Sequence, residues 1–155
     1  MQIHGSCAAR EGAGVLLVGP PGSGKSDLLL RLLDRGFALV ADDRIDIEDG
    51  IARAPAPLRG LLEIRGLGIV RLPYVAEVRL ALAVCLDSSG ARLPEPARHP
   101  TLGLPQVSVD ATRAAAPAIV ALALDCALGR IEQVAGAFES GMDPARPSKE
   151  RTGAA

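Results

Sequence analysis

The sequence predicts an α/β fold. Three observations carry that expectation: a short apolar run, Val15-Leu16-Leu17-Val18, that ends in Gly19-Pro20-Pro21-Gly22; a leucine stripe at 28, 29, 32 and 33; and a second apolar run from Phe37 to Ala41. A continuous apolar run stopped by Gly and Pro reads as a buried strand entering a tight loop. The leucines recur at helical spacing with Arg31, Asp34 and Arg35 among them, and Gly36 is a natural stop after the last turn. Strand, glycine-rich loop, helix and strand are the opening of an α/β domain, with the two strands expected as a parallel pair. A further strand at the N-terminus is expected to return antiparallel beside Val15–Val18 through a turn at 10–14.

The middle of the chain changes character. Ile45-Asp46-Ile47-Glu48 and Ile51-Ala52-Arg53-Ala54 flank Asp49-Gly50, which predicts a two-residue hairpin turn with Ile45, Ile47, Ala52 and Ala54 on one face. Leu61 to Val70 is apolar but carries Glu63, Arg65, Gly66 and Gly68. Val78 to Leu86 predicts a core strand. Residues 87–105, with prolines at 94, 96, 100 and 105, predict an irregular surface connection. Pro117 to about Phe138 predicts a helix, interrupted or bent near Gly129. The expected organisation is one domain over 1–139, followed by a disordered tail over 140–155.

Composition excludes several function classes. The 155 residues are 48% hydrophobic and 23% charged, with a formal charge of -1. That balance lacks the basic face that nucleic acid or a membrane surface requires. Aromatics are 2% of the chain (Phe37, Tyr74, Phe138), too few for base stacking. No apolar run reaches the roughly 18–20 residues of a membrane span, and Met1-Gln2-Ile3-His4 does not open like a signal peptide. Cys7, Cys85 and Cys126 sit among apolar neighbours and read as buried free thiols. A cytoplasmic protein is the expectation.

Gly19-Pro20-Pro21-Gly22-Ser23-Gly24-Lys25-Ser26 matches G-x-x-x-x-G-K-[ST] without a gap. Glycines let successive backbone N–H groups curl around phosphate oxygens. Lys25 would reach the β/γ oxygens, Ser26 would hold Mg²⁺, and the helix that follows would aim its positive end at the anion. Of the 17 basic residues only Lys25 and Lys149 are lysines, so the single lysine of the expected folded body stands in this loop. The motif points to ATP or a similar polyphosphate. A GTPase base-reading Asn-Lys-x-Asp is excluded because the chain has no Asn, and no Asp-Glu dipeptide marks an AAA-type ATPase. Asp87, after Val84-Cys85-Leu86, reads either as a metal-associated acid or as a turn residue.

Val40-Ala41-Asp42-Asp43 places two carboxylates at the end of a strand, where ligands of open α/β sheets gather. Adjacent strand residues face opposite ways, so the two cannot share a role. One reading gives a metal-facing acid and a general base; the other is an Asp-Asp-Arg turn. His4 alone reads as a partly buried structural residue. Leu62-Glu63-Ile64-Arg65-Gly66-Leu67-Gly68-Ile69 reads either as charge handling beside close backbone approach or as a plain bend.

Together, His4-Gly5, the loop from Gly19 to Ser26, Val40 to Asp43 and Leu62 to Ile69 resemble, in order, the catalytic domain of the bacterial HPr kinase/phosphorylase family. The match runs from residue 1 to about 70 and more weakly to about 130, like a short form that lacks the family's N-terminal domain. The resemblance implies a P-loop fold like that of phosphoenolpyruvate carboxykinase, assembled as a homohexamer. It implies phosphorylation of a serine of HPr, a phosphocarrier of a phosphotransferase system, with reversal by phosphorolysis at the same site. Residue by residue, it implies that Lys25 binds the transferring phosphate and that Ser26 and Glu63 hold Mg²⁺. Asp42 would act near the metal waters, Asp43 as base for the serine, and His4 as an aid at the same site. Arg92 is the counterpart of a later catalytic Arg. The loop departs from the family pattern at Pro20-Pro21-Gly22-Ser23, and Asp27 replaces a Glu. The late Pro-Gly-Arg-Asn segment tied to dephosphorylation is replaced around 111–117, leaving Arg113, which puts the phosphorylase activity in question. The alternatives are a small-molecule P-loop kinase, whose Arg-bearing lid would have to come from Arg92 and Arg98, and a non-catalytic ATP-sensing module.

Overall fold

The computed structural model describes residues 1–139; the expected tail over 140–155 lies outside the described residues. The chain is mixed α/β. Its elements are β1 (Gln2–His4), β2 (Ser6–Arg10), β3 (Ala13–Val18), α1 (Lys25–Leu33), β4 (Ala38–Ala41), β5 (Arg44–Glu48), β6 (Ile51–Arg53), a 3₁₀ turn (Ala56–Leu58), β7 (Leu61–Ile64), β8 (Gly68–Arg71), β9 (Val78–Leu86), β10 (Ala97–Arg98), β11 (Pro105–Val109) and α2 (Ala116–Ala127). The main sheet runs β1-β5-β6-β9-β3-β2-β4, and β11 pairs with the far half of β9. β7 and β8 form a separate hairpin.

The expected parallel pairing of β3 with β4 is corrected. β2 lies between them, antiparallel to both, and the parallel partner of β3 is β9. The cause is local: Glu11 and Gly12 both take positive φ (51° and 79°), the two-residue turn that returns β2 directly alongside β3. The N-terminal strand is therefore split. Ser6–Arg10 pairs with β3 as expected, whereas His4 belongs to β1, opposite Arg44 of β5. Gly5 makes the break. A Cβ there would stand 2.6 Å from the Leu17 carbonyl oxygen, and its N–H donates to the Asp43 carbonyl at 3.1 Å.

Alternation along the strands divides the core. Val15 and Leu17 of β3, Ala8 of β2, and Leu82, Val84 and Leu86 of β9 face the helices and pack with Leu28, Leu29 and Leu32 of α1 and Val120 and Leu124 of α2. Leu16, Cys7, Val40, Ile45, Ile47, Ala52 and Ala54 fill the opposite face. The four residues expected on one face of the Asp49-Gly50 hairpin are thus all buried together. Each fully buried leucine contributes about 1.5–3 kcal/mol.

Three smaller expectations are corrected. The final helix is interrupted near Gly129 as expected but does not resume towards Phe138: it ends at Ala127, the chain turns at Gly129 (φ 74°), and the Gly129 and Arg130 N–H groups return to the carbonyls of Cys126 and Asp125. β11 occupies a stretch to which the sequence pattern assigns no element, and β10 interrupts the expected surface connection. All three cysteines are free, but only Cys7 is fully buried; Cys85 and Cys126 are half-buried.

Candidate active site

The ends of β2, β3 and β4 meet at the start of α1, so the loop Gly19–Ser26 and the acids after β4 come together. Gly24 is the N-cap of α1, with left-handed backbone (φ 96°) and no side-chain oxygen over the first turn. The helix thereby presents free N–H groups towards the loop. Lys25 Nζ donates to the carbonyl oxygens of Gly19 (2.8 Å) and Pro20 (3.0 Å).

Asp42 and Asp43 separate as their adjacency requires. Asp42 is buried and accepts from the Ser26 hydroxyl (2.9 and 3.1 Å to its two oxygens) and from the Ser6 hydroxyl at 2.7 Å. Asp43 is the centre of a three-residue turn closed by the Arg44 N–H on the Asp42 carbonyl (2.9 Å), with φ 71°. Such a left-handed backbone costs a non-glycine residue roughly 1–2 kcal/mol. The strain is concentrated where the side chain turns outward, and the Asp43 side chain is 72% exposed. The Asp-Asp-Arg turn reading is therefore geometrically right and does not compete with a chemical one.

His4 is not buried. Its side chain is 75% exposed, with Nδ1 3.9 Å from Asp43 Oδ1, because pairing of β1 with β5 sets it beside Arg44. Asp87 is exposed and holds a tight turn, accepting from the Ser89 N–H (2.9 Å) and hydroxyl (2.8 Å), which lower its pKa in that order. The turn reading describes it.

A cavity of about 950 Å³ opens over this corner. Its wall includes Pro21, Gly22, Gly24, Lys25 and Ser26 of the loop, Asp42 and Asp43, and Glu63 to Gly68 of the β7–β8 hairpin. Gly19, Pro20 and Ser23 do not line it, and Ser23 Oγ is buried without a partner among the described residues. Glu63 and Arg65 are exposed on the hairpin. Arg92 lies exposed in the connection after β9, outside the cavity wall.

Two residues escape sequence reasoning. Ser6 is one; its signal is a hydroxyl set in the buried run Ser6-Cys7-Ala8-Ala9 immediately after His4-Gly5. Arg31 is the other. From α1 it donates to the carbonyls of Ala111 and Arg113 (3.3 Å to the latter) and pairs with Asp27 at 3.2 Å. It ties the turn after β11 to the phosphate loop, where Ala111 faces Gly24. In that turn Asp110 accepts from the Thr112 hydroxyl and N–H, which depress its pKa.

A family model, the HPr Serine kinase C-terminal domain, matches residues 1–76, the stretch that holds the loop, both acids and the hairpin. Over that stretch the chain is similar to the HPr serine kinase family. The HPr kinase/phosphorylase of Clostridium novyi is 43% identical over 76 residues, 46% of this chain and 25% of that one. That of Pediococcus pentosaceus is 49% identical over 73 residues, 44% of this chain and 23% of that one. The chain thus covers about a quarter of the length of these relatives. The structure of the Hpr(Ser) kinase/phosphatase from Coxiella burnetii superposes with a TM-score of 0.70 at 27% identity, over 84% of this chain and 92% of that one. Among the described residues no helix is long and apolar enough to cross a membrane.

Proposed function

We propose that this chain is an ATP- and Mg²⁺-dependent protein serine kinase whose acceptor is a serine of HPr. The observation that carries this reading is one cavity bordered by the Lys25–Ser26 end of the loop, the split acid pair and the signature hairpin. The similarity to HPr kinases supports the acceptor, and the grouping of these residues around one cavity supports the roles.

Lys25 and the first-turn N–H groups of α1 would take the transferring phosphate, with Gly19 to Ser26 as its cradle. The Asp43 carboxylate, outward and unburied, would take the hydroxyl proton as the serine oxygen bonds to the γ-phosphorus and the bond to ADP breaks. His4, beside Asp43, would assist at the same acceptor. The donors fit a hard cation: Ser26 Oγ and Glu63 are oxygen ligands, and Asp42 sits behind Ser26 to accept from metal-bound water. Among the described residues no cluster of three His, Cys, Asp or Glu side chains forms a self-sufficient cage, so the phosphates would complete the coordination. Bound Mg²⁺ would neutralise the phosphate oxygens.

The same reading takes Asp43 as the acid of the reverse reaction, with Arg113 on the turn after β11 as the group whose loss would expose any phosphorolysis. Arg92 would have to move towards the cavity with the connection that bears it. The homohexamer, the cytoplasmic setting and control of a phosphotransferase system belong to this proposal too. A small-molecule kinase is less well served, because its lid arginine would have to come from Arg92, outside the cavity wall, or from Arg98, which donates to the Gly103 carbonyl (2.9 Å).

The test is transfer from γ-labelled ATP to purified HPr with Mg²⁺. Label on an HPr serine is expected, with Asp43→Asn reducing the rate by roughly 10²–10⁴ while ATP binding survives. ATP bound but no label on HPr would remove the acceptor; label on a free metabolite would favour the small-molecule kinase, and no transfer at all the sensor.

A further inference from the structure

Ser6 is fully buried in β2 and shares the helix-facing side of that strand with Ala8, two residues on. A buried hydroxyl is costly unless it is bonded, and the bond that Ser6 makes is to Asp42 Oδ1 at 2.7 Å. Ser26 donates to the same carboxylate at 2.9 and 3.1 Å. An ionised carboxylate only accepts, so both hydroxyl protons point at Asp42. A serine hydroxyl has one proton; once Ser26 commits it to Asp42, the lone pairs of Ser26 Oγ are left for the cavity, which Ser26, Asp42 and Ser6 all border.

We infer that Ser6 is a positioning residue for divalent cation binding: it pins the Asp42 carboxylate so that Ser26 gives its proton inward and keeps its lone pairs for the metal. Carboxylate torsions of Asp are broad and roughly two-fold, so an Asp42 without Ser6 is free to turn its acceptor oxygens away from Ser26. The inference deepens the proposed reading, since it requires that the loop takes a metal–nucleotide pair. It does not require that HPr is the acceptor.

The experiment titrates the full chain with ADP in the presence of Mg²⁺ and in EDTA, by calorimetry, and follows Mn²⁺ binding by electron paramagnetic resonance. Ser6→Ala is expected to raise the Mg²⁺ and Mn²⁺ concentrations for half-saturation about tenfold, the usual scale for losing a group that orients a metal ligand. Affinity for ADP in EDTA should stay within about twofold of wild type on the same grounds, because no phosphate contact has changed. Ser6→Thr, which keeps the donor, should restore metal binding. If Ser6→Ala melts early, Ser6→Cys keeps the shape with a weaker donor and must show the same selective loss. Equal weakening with and without metal, or no weakening, would overturn the inference. A selective metal loss in Ser6→Ala, with no label on HPr from the wild-type chain, would sink the HPr acceptor and leave the Ser6 inference standing; HPr labelling with no selective loss in Ser6→Ala would sink the Ser6 inference alone. A wild-type chain that binds neither ADP nor metal would overturn both.

Discussion

The two walls of the cavity are built differently. On the strand-end wall, Ser6, Ser26 and Asp42 are interlinked by hydrogen bonds and stand on β2, on α1 and directly after β4, three elements of the main core. On the hairpin wall, Glu63, Arg65 and Leu67 are exposed, Leu67 to 70%, and Ile69 just beyond it to 69%. Their strands pair only with each other, and Leu62 is the hairpin's one fully buried anchor among the described residues. The first wall is set by folding itself. The second is held by few contacts, and it presents charged and apolar groups that a bound molecule would have to satisfy. In this chain the loop half of the cavity is thus preorganised, while the hairpin half is where adjustment is cheap.

The largest test of this contrast removes support from beneath the phosphate loop. Leu32 of α1 is fully buried, so Leu32→Ala should cost about 2–5 kcal/mol in urea unfolding. It should also weaken nucleotide binding, since the loop ends on that helix. Loss of stability with the loop's affinity intact would break the claim that the core sets this wall. Next, Asp42→Ala orphans the buried Ser6 hydroxyl and should cost about 1–3 kcal/mol, whereas Glu63→Ala on the exposed hairpin should change stability by less than about 0.5 kcal/mol. Both should slow transfer. Equal stability losses would erase the distinction between the walls.

The gentlest probe is chemical. Burial raises the Cys7 thiol far above its ordinary pKa, so at pH 8 it stays protonated. Cys85 and Cys126 are shifted upward too, first by burial and then by Asp87 and Asp125 respectively, but they are only half-buried. Iodoacetamide at pH 8 should label Cys85 and Cys126 first and Cys7 only at the rate of unfolding. Rapid labelling of Cys7, next to Ser6, would mean that the strand-end wall opens readily.

Much of this was legible in local pattern. The loop, the leucine helix and the Asp49-Gly50 hairpin are each written in consecutive residues, and the structure has them where spacing puts them. Pairing partners were not, because β3 meets β9 across a long stretch of chain, and only the turn at Glu11-Gly12 reveals that β2 intervenes before β4. In the site, the adjacency of Asp42 and Asp43 correctly separates their environments, but strand alternation alone does not foresee the left-handed turn at Asp43. His4 reads as a partly buried structural residue until its strand is seen to pair with β5 rather than β3. Ser6 and Arg31 act through partners 36 and 80–82 positions away, a distance no local window spans.

The place of β9 in the sheet has a consequence for synthesis. The family model ends at residue 76, and β9 begins at Val78. A nascent chain that has just delivered the matched stretch carries every residue proposed here to bind phosphate or metal, yet β3, the strand that feeds the loop, still has an open edge. Such an edge is a template for another chain. Val78–Leu86 closes it, so the loop, the acid pair and the hairpin are encoded in one half of the chain and made foldable by the other.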